Sequence, residues 1–90
     1  MLLMTTTPSI EGRPARTLSG IVSGESTVEI QFFDRNAEKN VHDARTAALA
    51  QMSARAQKLG ASAVVGVAFD LESLTPNLRM MIATGTAVVL

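Results

Sequence analysis

Apolar and small residues recur between Val41 and Leu59 at spacings of three and four: Val41, Ala44, Ala48, Met52, Ala56 beside Arg55, and Leu59. That period places them on one stripe of an α-helix of about five turns. Asn40 just before the stripe, with Asp43 three residues on, fits an N-cap and a first-turn carboxylate; a start near Asp34 or Asn36 is the alternative. Lys58 suits the negative pole of the helix, and Gly60 is the C′ residue, free to take positive φ. The stripe is mostly alanine, so the helix can lie close to whatever it packs on.

The rest of the chain reads as strands. Met1–Thr7 is apolar and β-branched, stops at Pro8, and suits a sheet edge or a subunit contact. A turn-rich stretch with Pro8, Gly12 and Pro14 leads to a short strand at Thr17–Val22, ended by a turn at Ser23–Ser26. Val28, Ile30 and Phe32 then alternate with Glu29, Gln31 and Phe33, predicting a strand with one wet face. After the helix, Ala63–Leu71 and Arg79–Leu90 form an antiparallel hairpin around a connection at Glu72–Leu78. Val65, Val67, Phe69 and Leu71 are expected on one face of the first, with Val64, Gly66, Ala68 and Asp70 on the other. In the second, Met80, Ile82, Val88 and Leu90 alternate with Met81, Ala83, Gly85, Ala87 and Val89. Neither strand has a clean polar face, so the sheet is expected to be covered on both sides. One helix covers one side; another subunit can cover the second. The element order is β-β-β-α-β-β, an α+β chain with an antiparallel sheet of about four to five strands.

Composition narrows what such a scaffold does. Ninety residues without cysteine make one thin domain with no disulfide or thiolate zinc site to brace it, and oligomerisation is the usual remedy. Eight basic and eight acidic residues cancel, and only 3% of the chain is aromatic, which argues against a nucleic-acid partner. The start lacks the charged n-region and the apolar run of about 7–15 residues of a secretory signal, and no stretch approaches the roughly 20 apolar residues that cross a bilayer. A cytoplasmic protein with no membrane partner is the expectation.

Candidate chemistry is sparse. His42 is the only histidine, with Glu38 four residues before it and Asp43 beside it. As a metal ligand it lacks a second imidazole at H-x-x-x-H spacing, and a solvated first-turn residue is the commoner role. Glu25 follows a Ser-Gly dipeptide, and Asp70 sits late in an apolar strand with Glu72 two residues on and on the same face. Paired carboxylates hold hard cations or move protons, and more often mark the wet end of a strand. Thr84-Gly85-Thr86 admits a ligand near the backbone, or close packing of the helix. Gly20, Gly24 and Gly66 make no phosphate-binding spacing, Met80 and Met81 read as filler, and no nucleophile motif occurs.

Four stretches, TTTPSIEG at Thr5–Gly12, GIVSGE at Gly20–Glu25, LGASAVVGVAFD at Leu59–Asp70 and ATGTAVV at Ala83–Val89, resemble in order the YbjQ-like family, which carries a heavy-metal-binding label. The resemblance spans nearly the whole chain, read as a single domain over 1–90. It implies a dodecin-like subunit assembled into a ring, most often a homopentamer. Between Glu25 and Asp43 the chain is shorter than typical members, which carry a partly helical, Gly-rich insertion there; no ligand from that insertion carries over. The function expected is therefore a non-enzymatic homo-oligomer binding a metal ion or small ligand between subunits, with Glu25, Asp70 and His42 as candidate ligands. The alternative is a structural or protein-interaction ring that docks a partner through Leu74–Arg79. An enzymatic reading would need clustered titratable groups that the core segments do not offer.

Overall fold

The computed structural model describes residues 2–29 and 37–90, as the strands β1 (Leu3–Met4), β2 (Thr17–Glu29), β3 (Ala63–Thr75) and β4 (Leu78–Val89) and the helix α1 (Ala37–Lys58). One sheet runs in the order β1-β3-β4-β2, with α1 laid across one face. The architecture is α+β, as the hydrophobic pattern predicts. The sheet is mixed rather than antiparallel throughout: β1 pairs with β3 in parallel, Leu3 opposite Ala63 and Met4 opposite Val64. The backbone pairing continues past β1, from Thr5 N–H to the Val64 carbonyl and from Gly66 N–H to the Thr7 carbonyl.

Two segments read from the sequence as turn or connection are strand instead. Ser23–Ser26 is not a turn, because the segment lies inside β2 and pairs without a break against Thr84–Met81. Gly24 is there for closeness rather than for bending: a Cβ on it would overlap the Ala48 carbonyl and lie 2.8 Å from Met52 N, so the helix backbone rests on the strand backbone. Likewise the ladder of β3 and β4 runs on through Glu72–Thr75, and only Pro76 and Asn77 make the turn. The Thr75 hydroxyl closes it, accepting from Leu78 N–H at 3.0 Å. The predicted alternation at Ile30–Phe33 and the alternative helix start near Asp34 or Asn36 lie outside the described residues.

α1 is already helical at Ala37, so Asn40 is an interior residue and not the N-cap; Asp43 pairs instead with Lys39 at 3.6 Å. The C-terminus is as predicted. Gly60 has φ +77°, its N–H bonds the Gln57 carbonyl, and Ala61 N–H bonds that of Ala56, which is the Schellman arrangement. Ala44, Ala48, Met52 and Ala56 are buried against Val22, Val28, Val64, Val67, Met81, Ala83 and Ala87. Leu59, placed on the stripe by spacing, lies beyond the helix and is half exposed.

The predicted faces of β4 hold, whereas those of β3 change halfway. Gly66 and Val67 together oppose Gly85, with Gly66 at φ +62°, a bulge of the glycine-led kind. Val64 and Val67 therefore both face the helix, and Val65 joins Ala63 and Val88 on the opposite, open face. Ile10 and Leu90 cover that end of the open face. Ile21 nearby stays 86% exposed.

Candidate metal site

Residues directly opposite in paired strands present their side chains to the same face. Glu25 is opposite Ile82, and Ile82 is opposite Asp70. Glu25 and Asp70 thus lie in one row across three strands, on the face turned away from the helix. One strand intervenes, so their backbones are about 10 Å apart. The next row is Thr27, Met80 and Glu72, which adds a third carboxylate to this face. Their even spacing along β3 is legible in the sequence; their meeting with Glu25 is not, since it depends on strand order and register.

The three carboxylates differ in surroundings. Glu25 Oε2 accepts from Arg55 Nη1 at 2.9 Å, and the same nitrogen donates to the Ser23 carbonyl at 2.9 Å. Gln51 Oε1 accepts the Glu25 backbone N–H at 2.7 Å. Periodicity places Arg55 beside the apolar stripe and reveals neither partnership, because a side chain reaching around a sheet edge leaves no periodic trace. Asp70 and Glu72 are exposed neighbours. A hydrogen bond that the protonated Glu72 carboxyl donates to Asp70, then the charge of Asp70, then slight desolvation push the Glu72 carboxyl above its ordinary range.

His42 lies apart from this row. It is exposed on α1, on the helix side of the sheet, where it lines a groove with Ala37, Glu38, Val41 and Arg45. Arg45 in turn sits 5.2 Å over the Phe69 ring. Among the described residues, no three His, Asp or Glu side chains of one chain gather to hold a metal ion. The carboxylates supply hard oxygen donors and the chain contains no cysteine, so the donor set fits a hard or borderline divalent cation, not a thiophilic one.

A four-stranded mixed sheet bearing one helix, with an acidic row on its open face, defines a small α+β domain. The chain belongs to the YbjQ-like family: the family model described as "putative heavy-metal-binding" matches residues 34–90. A UPF0145 protein of Carboxydothermus hydrogenoformans is 34% identical, over 97% of this chain and 94% of that one. One from Bifidobacterium longum is 36% identical, over 98% and 94%. These alignments run to 101 and 104 positions, longer than this chain, so the relatives carry residues that it lacks. A crystal structure of a protein of unknown function in the DUF74 family, from Pediococcus pentosaceus, superposes with a TM-score of 0.82 at 16% identity, over 99% of this chain and 97% of that one. At that identity the likeness is one of fold.

Proposed function

We propose that this protein is a non-enzymatic homo-oligomer, a ring of five by family resemblance, that binds a divalent cation where the open face of its sheet meets a neighbouring copy. The observation that carries this reading is the row Glu25–Ile82–Asp70, with Glu72 in the next row. Glu25 and Asp70, with backbones about 10 Å apart, flank Ile82, and a cation held there would have most of its coordination open. A second copy completes it. His42, on the far side of its own sheet, enters such a site only from that neighbour. A cation must also compete with Arg55 for Glu25, which favours binding through Asp70 and Glu72 first.

Calorimetric titration with zinc and manganese, together with light scattering, tests both halves. The parent is expected to give saturable heat that Asp70→Asn abolishes, at an assembly mass above that of one chain. No saturable heat ends the metal reading, and a stable monomer at micromolar concentration ends the interface. A ring that docks a partner protein is the second reading, favoured by Leu74, which stands half exposed at the tip of the β3–β4 arm. It predicts loss of a captured partner on removal of that tip, with metal having no effect.

A further inference from the structure

The strand order leaves β2 at the edge of the sheet, a strand of 13 residues. A long edge offers its outward N–H and C=O groups to any other strand. In the middle of this edge they are already taken. Gln51 accepts the Glu25 N–H, and Arg55 donates to the Ser23 carbonyl while Glu25 Oε2 holds its guanidinium in place. We infer that Gln51 and Arg55 form a latch that closes the β2 edge to strand addition by a second copy of the chain.

The geometry suits that role. Gln51 and Arg55 are one helical turn apart, about 6 Å of rise. Ser23 and Glu25 are alternate strand residues, about 6.8 Å apart. A helix running along the strand therefore presents its i and i+4 side chains at nearly the spacing of successive outward backbone groups. The helix comes near enough only because Gly24, between those two residues, carries no side chain. An incoming strand needs the Glu25 N–H and the Ser23 carbonyl, and both are occupied. The bonds of Gln51 to the Glu25 N–H and of Arg55 to the Ser23 carbonyl need no metal, and the latch directs association toward the open face instead of the edge.

The test uses the full chain with Gln51→Ala, Arg55→Ala and the two combined. Neither side chain is buried, and alanine keeps helix propensity, so the variants fold. Amide hydrogen exchange at Glu25 should quicken roughly fivefold in Gln51→Ala at low concentration. In the double variant, sedimentation should show a mass that rises with concentration beyond the parent's. Protection at Glu25 should return as a second strand takes the amide. An unchanged Glu25 exchange rate in Gln51→Ala overturns the latch. So does a double variant whose mass matches the parent at every concentration.

Discussion

Gly24→Ala is the most demanding perturbation of this fold. Its methyl group would overlap the Ala48 carbonyl and press on Met52 N, both backbone atoms of the helix. A crowded side chain can rotate away; a helix backbone cannot, so α1 must lift from β2 along the buried Ala48 and Met52 contacts. Overpacking costs about 1–3 kcal/mol where side chains yield, and a backbone target puts this one at about 3 kcal/mol or more. A domain of 90 residues has roughly 5–13 kcal/mol in total. At about 4–8 °C per kcal/mol the melting temperature should fall by roughly 12–24 °C. Circular dichroism during thermal and urea unfolding reads this directly. The double variant Gly24→Ala/Ala48→Gly should be no more stable, because trimming the Ala48 side chain leaves its carbonyl where it is. A fall of less than about 4 °C, or rescue by the second substitution, would refute the backbone-on-backbone contact.

Three other outcomes follow from neighbouring features. Glu72→Gln should raise stability at neutral pH and flatten its pH dependence. A carboxyl whose folded pKa is raised contributes stability below its unfolded value and loses it as pH rises through the folded one, so the Asp70–Glu72 pair opposes folding once both are ionised. Melting curves from acid to neutral pH check the sign; an acid-side gain with no neutral-side gain contradicts it. Ser53→Ala removes the acceptor of the Leu2 N–H, a bond of 3.1 Å, and should cost about 1 kcal/mol, with faster amide exchange along β1. Asp70→Asn, which leaves the Arg55–Glu25 pair untouched, should remove the heat of zinc binding while leaving the Glu25 amide protected.

Local chemistry made much of this fold legible. The helix, its end at Gly60, the closing hairpin and the two faces of β4 follow from periodicity and from glycine at a left-handed position. What escaped depends on partners distant in the chain. Ser23–Ser26 has the composition of a turn, and only the helix passing over Gly24 explains why it is a strand. The parallel pairing of β1 leaves no mark in Leu3 and Met4. Glu25 and Asp70 were legible as isolated carboxylates, but the row joining them exists only once β4 lies between β2 and β3. His42 was singled out by residue type, and type does not say which side of the sheet a residue occupies.

The bulge at Gly66–Val67 has a consequence for how this chain can change. β3 enters the sheet with Val64 toward the helix and leaves it with Phe69 and Leu71 toward the helix, a parity that holds only because one extra residue is counted in between. Deleting Gly66 would leave Val67 alone opposite Gly85 and restore plain alternation, so Phe69 and Leu71 would stay on the helix side and Asp70 and Glu72 on the open face. Straightening the strand with the residue kept, as a β-branched side chain at this φ +62° position favours, would turn the outer half over. Substitutions can tune the acidic row one residue at a time. Loss of the bulge without loss of a residue would invert it whole, so the left-handed glycine in β3 is as much a part of the site as its carboxylates.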